Sequence, residues 1–497
     1  MRNYLFFTAI LMLSGLSHSA FAAVPLKLKE SLLKEFVAKG SPTLDEIQAV
    51  FLSSEFRNKE MLEDVSPELY GRTSYRETNE KAIIPFIPIF SPVKYAELGV
   101  RQKIAHGFSV GAAAGTQQQS AVSSSGKYRD VTTTNINFTA QMDLWRDLFG
   151  RATKAKLKNA SDESKRADLE QQIQKKAFLI SLRKTYWALV ANNESMRISR
   201  ELLKDAVAQS DETVKRFQNN VAEQDEVARY KAQVASRTGT LSGLEYQKQS
   251  YTRQLKTLLP ELSNAEISLA EYDLDKTLRD VLTCTEAIAS ETKIPYQNTL
   301  YDESISLLTS MLSNNRTINE RYADPDVSLF GRVQSVGVSS DAKPSGFRGS
   351  YGGSWDDMTS QNRTGYEVGL NVVIPLGDAK ASAQRTKELY DEKRLRAFIG
   401  RTEANVVTSH QEILTTITIL NQVIESQKIN TDQLNKRLIY MRKKYQQARA
   451  SVNDLVQDQD ALLSSELITI ETKLAVINVI LDYLAVYTET PCDFNRI

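Results

Sequence analysis

The chain has 497 residues with 62 basic and 61 acidic side chains, a net charge of +1, and this even mixture leaves no electrostatic footprint for nucleic acid. Its three histidines, His18, His106 and His410, form no metal-ligand cluster and leave little scope for a His-dependent triad. With no nucleotide-binding or proton-relay motif, the composition argues against an enzyme, and no cofactor is expected.

Residues 1–22 read as a secretory signal, with Arg2 as the charge, Leu5 to Leu16 as the apolar core and Ala20-Phe21-Ala22 as a small-x-small cleavage site. No later stretch approaches the ~20 continuous apolar residues of a transmembrane helix. If the protein sits in a membrane, strands must hold it there. Residues 23–66 predict two amphipathic helices, Leu26 to Val37 and Leu44 to Leu62, the second capped by Thr43.

Residues 67–146 form a first β region. Leu98, Val100 and Ile104 alternate with Glu97, Gly99, Arg101 and Lys103; Ala105-His106-Gly107 turns the chain; Phe108, Val110, Ala112 and Ala114 alternate onward. Gln117 to Asp130 reads as a long polar loop. Ile136 to Leu144 alternates strictly, which puts Asn135, Asn137, Thr139, Gln141 and Asp143 on one face and Ile136, Phe138 and Met142 on the other.

Residues 147–260 predict a long helix, Asp147 to Asn219, that turns back into a shorter one ending at Pro260. Residues 261–324 read as an irregular connector followed by a helix. A second β region, 325–376, holds strands at Val327 to Val338 and Tyr366 to Ile374, separated by a long loop. Residues 377–489 repeat the long helical hairpin, and 490–497 form a tail.

The chain reads as a tandem duplication. Phe217 to Val227 (FQNNVAEQDEV) and Tyr445 to Leu455 (YQQARASVNDL) occupy equivalent places, offset by 228 residues. Near Pro67 and Pro325 the offset is 258, so the first half carries roughly one extra hairpin. Cys284 and Cys492, the two cysteines, each follow the helical run of their half in an exported chain; they read as one disulfide or as two separate thiols.

The fold class expected is mixed α and β: a membrane β-barrel shared between protomers, with 4 to 6 strands each, joined to a long α-helical coiled-coil barrel. Four to six strands cannot close alone, and bare strand edges cannot sit in lipid.

The order of signal, helix, strand pair, long helix, tight turn and returning helix, repeated once, resembles the TolC-like outer-membrane efflux proteins over essentially the whole mature chain. Gly369-Leu370-Asn371-Val372-Val373-Ile374-Pro375-Leu376-Gly377 is similar to the family's strand-to-helix junction, and Phe217 and Tyr445 to its helix-tip hairpins. The resemblance implies an outer-membrane exit duct for a tripartite efflux pump or type I secretion system, most often a trimer. Its implied partners are a periplasmic adaptor, an inner-membrane pump or ABC exporter, and outer-membrane lipid, without nucleic acid. It also implies a long periplasmic extension, adaptor docking at Asn220, Val221, Ala222, Ala448, Arg449 and Ala450, and an aperture formed by Asp225, Glu226, Tyr445, Arg449 and Asp454. Asn220 and Ala448 stand where the family carries turn glycines. The competing reading is a periplasm-spanning structural or adhesive coiled coil without channel activity.

Overall fold

The structure, a computed structural model, describes residues 25–487 other than 40, 81–88, 123–127, 291–298, 321–323, 341–348, 362, 375, 377 and 448. The signal segment, Ala448 and Cys492 lie outside the described residues. A short strand β1 (Pro25–Leu28) leads into helices α1 (Glu30–Lys39) and α2 (Pro42–Glu63), then strands β2 (Glu68–Arg76), β3 (Ile89–Ile104), β4 (Phe108–Val122) and β5 (Tyr128–Asp143). Helices α3 (Arg151–Gln218) and α4 (Gln224–Leu258) form the first hairpin, of 68 and 35 residues. Strand β6 (Glu266–Leu269) and helices α5 (Leu274–Ser290) and α6 (Leu300–Glu320) lead to β7 (Asp326–Ser339), α7 (Tyr351–Ser360) and β8 (Thr364–Val373). Helices α8 (Asp378–Gln446) and α9 (Val452–Val486) form the second hairpin, of 69 and 35 residues.

The 68 residues of α3 contain neither glycine nor proline, so nothing in the sequence interrupts a helix about 100 Å long. Its most buried part is the middle, where Leu182, Tyr186, Leu189 and Val190 enter one large core with Leu28, Leu33, Leu255, Leu259, Val281, Val476, Ile477 and Tyr483. This core forms a waist around the shaft, and the parallel pairing of β1 with β6 packs beside it. Glu30 and Arg183, both buried, pair within it.

Four expectations are corrected. Leu26 to Val37 is not one helix, because Pro25 to Leu28 is extended and spends its backbone bonds on β6. Ser41, not Thr43, is the N-cap of α2; Pro42 takes the first turn, where a missing N–H is harmless, and Ser41 Oγ donates to Leu258 O at 3.3 Å. The connector contains the helix α5, whose Leu274, Leu278, Val281 and Ile288 are buried in the waist. The two polar loops are shorter than read: β4 and β5 pair as far as Val122 and Tyr128, and the second loop folds α7.

Strands β2, β3, β4, β5, β7 and β8 form one antiparallel sheet in that order. The register makes its two faces distinct. Leu69, Leu98, Val100, Val110, Phe138, Leu329, Val333, Tyr366, Val368 and Leu370 share one face and are exposed, Tyr366 at 86% and Val368 at 70%. Glu68, Arg72, Glu97, Arg101, Asn137, Gln141, Arg332, Glu367 and Asn371 share the other. The extra hairpin β3–β4 is thus part of the same surface, with the same facial segregation as its neighbours. Where sheet meets shaft the backbones touch: a Cβ on Gly150 (φ 71°) would fall 1.8 Å from Ala105 O, and Gly107 (φ 82°) makes the β3–β4 turn.

Among the described residues no helix is long and apolar enough to cross a membrane.

Candidate functional site

The far end of the shaft, where both helical hairpins reverse, gathers most of the residues the sequence singles out. In the first reversal Asn220 adopts the left-handed conformation, φ 58°. Its N–H donates to Phe217 O at 2.9 Å and that of Val221 to Arg216 O at 2.8 Å, the pair of bonds that closes a helix in a Schellman motif. Asparagine accepts this geometry in place of glycine because its short polar side chain tolerates it. In the second reversal the equivalent bond runs from Arg449 N to Lys444 O at 2.8 Å; Ala448 itself lies outside the described residues. Val221 and Arg449 are exposed, and Ala222 and Ala450 half-buried, at the very end of the molecule.

Tyr445 is half-buried and held from two sides. Arg216 Nη1 donates to its hydroxyl at 3.0 Å and the guanidinium lies over its ring at 5.4 Å. Tyr230 of α4, almost fully buried, lies beside it. The Arg216 contact therefore ties α3 to α8, with Tyr230 of α4 packed alongside. Glu226 turns Oε2 inward, buried and without a hydrogen-bond partner. Burial, then the Glu226 charge, pushes the Tyr445 hydroxyl above the ordinary phenol range; burial does the same to Tyr230. Both stay neutral donors at physiological pH.

Asp225 is exposed on the first turn of α4. Asp454 is occupied locally: it completes the capping box of α9, accepting from Ser451 Oγ at 2.7 Å and Ser451 N at 3.2 Å. Those bonds hold its carboxyl below the usual range. The arginine on Tyr445 is Arg216 and not Arg449, whose side chain faces solvent.

Behind this layer the helices are braced by polar groups the sequence reading missed. Gln233 Nε2 donates to Gln459 Oε1 at 3.0 Å and Gln459 Nε2 to Gln209 Oε1 at 3.0 Å. Arg237, 3% exposed, donates to Leu202 O at 2.9 Å and pairs with Asp460 at 3.2 Å; burial lowers its pKa against the pull of Asp460. Arg437 holds the buried Asp458 through two bonds at 2.9 and 3.0 Å. A signal was present: Tyr230 and Asp458 stand at the same repeat offset and are both buried. The apolar cluster here is small, chiefly Leu438, Leu455 and Leu462.

Cys284 is buried in α5 within the waist; Cys492, with which it was paired in one reading, lies outside the described residues. Among the described residues no group of three or more His, Cys, Asp or Glu side chains could hold a metal ion.

No protein-family model matches this sequence, and no curated protein matches it. Solved structures do. The chain is similar to the outer membrane protein VceC of Vibrio cholerae, at 15% identity over 93% of this chain and 97% of that one, TM-score 0.64. It is similar to CusC, whose structures concern conformational changes accompanying folding and transmembrane channel formation, at 12% identity over 94% and 95%, TM-score 0.63. The Campylobacter jejuni CmeC outer membrane channel matches at 12% identity over 97% and 93%, TM-score 0.62. With an apolar-faced sheet on a shaft of two long helical hairpins, and this likeness over more than nine-tenths of its length, the chain has the fold of the TolC-like outer-membrane factors.

Proposed function

We propose that the protein is the outer-membrane exit channel of a tripartite efflux pump or type I secretion system, a passive duct gated at its helix tips. The observation that carries this reading is the open sheet with one exposed apolar face. An exposed apolar surface of that breadth needs a covering, and strands of 14 to 16 residues such as β3, β5 and β7 exceed the 9–11 residues, roughly, that span a bilayer. The edges β2 and β8, of 9 and 10 residues, carry unpaired backbone groups that lipid cannot satisfy. Pairing β8 of one copy with β2 of the next closes the wall. Three copies would then contribute all six strands each, 18 in total, because β3–β4 lies inside the sheet with its apolar residues on the common face.

In this arrangement Asn137, Gln141, Arg332, Glu367 and Asn371 line a wet lumen. The exposed apolar residues of α8, Leu389, Tyr390, Ile419, Ile429 and Tyr440, pack against neighbouring copies to make the helical tunnel in the periplasm. A periplasmic adaptor docks on the reversal residues Asn220, Val221, Ala222, Arg449 and Ala450 with Ala448 between, and an inner-membrane pump or ABC exporter supplies the energy. Arg216, Tyr230, Glu226 and Tyr445 form the gate layer, with Asp225 and Asp454 at the rim. Cys284 pairs with Cys492 in the oxidising periplasm.

Planar-bilayer recording of the purified oligomer tests the reading. Discrete current steps are expected; an assembled oligomer that inserts and passes no current under any voltage favours the structural coiled coil instead.

A further inference from the structure

Helix α7 does not project from the sheet. It folds back onto the apolar face at the end far from the shaft. Ser354, fully buried, bonds Thr134 Oγ1 at 2.7 Å; Thr132 Oγ1 donates to Gly349 O at 2.8 Å; Val338 N donates to Asp357 Oδ2 at 2.8 Å, and Arg363 pairs with the same oxygen at 3.1 Å. The fit is close: a Cβ on Gly337 would fall 1.9 Å from Ser354 O. These bonds fix α7 over β5 and β7, and Tyr351 and Trp355 remain exposed, at 52% and 47%.

Between α7 and strands β3 and β4 this leaves a groove of about 610 Å³. Ala96, Leu98, Ala114, Gly115 and Thr134 line its floor and Trp355 its wall. Small residues keep the floor deep; Glu97 and Asp356 are also among the lining residues, with the Glu97 side chain on the opposite, polar face by register, and no Lys or Arg lines the groove. Leu98 belongs to the exposed apolar band, so the groove opens directly onto that band.

We propose that α7 lies in the interface of the outer leaflet, on the outside of the barrel, and that the groove takes an acyl chain of an outer-leaflet lipid beneath Trp355. The inference rests on the membrane reading of the sheet. Continuity with the apolar band selects a hydrocarbon tail over a polar ligand, and the amphipathic Trp355 and Tyr351 suit the headgroup boundary. The location of α7 over the middle of its own sheet, away from β2 and β8, leaves the groove clear of the edges where neighbouring copies would pair.

Fluorescence quenching in vesicles of phosphatidylcholine brominated at shallow or deep acyl positions tests this. In a Trp145→Phe background, the protein is expected to show a quenched component, stronger with the shallow label, that Trp355→Phe removes and that Ala114→Phe, which fills the floor, reduces. Phe138→Trp in the Trp355→Phe background reports the sheet itself and is expected to be quenched more by the deep label. If Phe138→Trp is quenched while Trp355→Phe or Ala114→Phe leaves the shallow component unchanged, the lipid groove is wrong and the barrel stands. If neither Trp355 nor Phe138→Trp is quenched, both fail.

Discussion

Phe138→Arg is expected to destabilise the assembled protein in a bilayer by about 2–4 kcal/mol, whereas Asn137→Arg, one residue away, costs under about 1 kcal/mol. The two side chains leave β5 on opposite faces. Phe138 is paired with Ala112 and Val333 on the apolar face and is 59% exposed; Asn137 is paired with Ala113 and Gln334 on the polar face. A guanidinium on the lipid face must give up water near mid-membrane, while on the lumen face it keeps its hydration. Guanidinium-chloride unfolding in lipid vesicles, compared for both variants and wild type, reads the difference. Equal losses would mean that the register does not separate lipid from lumen.

Arg216→Ala should open the channel. Its guanidinium binds Tyr445 by a hydrogen bond and by its position over the ring, beside the buried Tyr230. In the proposed trimer a net contribution of about 1 kcal/mol for the Arg216–Tyr445 hydrogen bond in each copy sums to about 3 kcal/mol favouring the closed tip. Its loss moves the closed-to-open ratio by on the order of a hundredfold. Tyr445→Phe removes the hydroxyl but keeps the ring, so a smaller rise in mean conductance is expected. Arg197 serves as the control, because its bonds run to Glu194 and Glu201 within its own helix; Arg197→Ala should leave conductance unchanged. If Arg216→Ala behaves like Arg197→Ala, the gate does not lie at this layer.

The long helices were legible because their apolar positions recur at helical spacing over dozens of residues without proline, and chain reversal between them is marked by Asn219-Asn220 in one half. The alternation of Ile136 to Leu144 and of Tyr366 to Val372 likewise announced strands, and the mismatch of offsets exposed the β3–β4 hairpin. What stayed hidden has physical causes. Toward the outer ends of β4 and β5, Gln117 to Ser120 and Thr132 to Asn135 are polar on both faces, so no alternation appears there; those strands persist through cross-strand bonds such as Ser120 to Asp130 at 2.5 Å. Helix α7 begins Tyr-Gly-Gly-Ser, a poor helical sequence, and it forms because Gly337 lets it dock on the sheet. Strand β1 has four residues and a partner more than two hundred positions away, which no local pattern records. In the site, Tyr445 and the acidic residues were visible from the hairpin motif, but Arg216 and Tyr230 join them only through packing of three helices. Asp454, read from the motif as an aperture carboxylate, also caps α9 through Ser451, a pairing the motif did not reveal.

In the proposed assembly, copies of this chain share one membrane barrel built from all six strands of each. Electron microscopy of the oligomer extracted from the outer-membrane fraction, at a resolution that separates strands, tests it most directly. Three copies around one continuous wall of 18 strands are expected, with β8 of each paired to β2 of the next. A wall of 12 strands with β3–β4 folded outside it, or copies whose sheets do not meet, would contradict it.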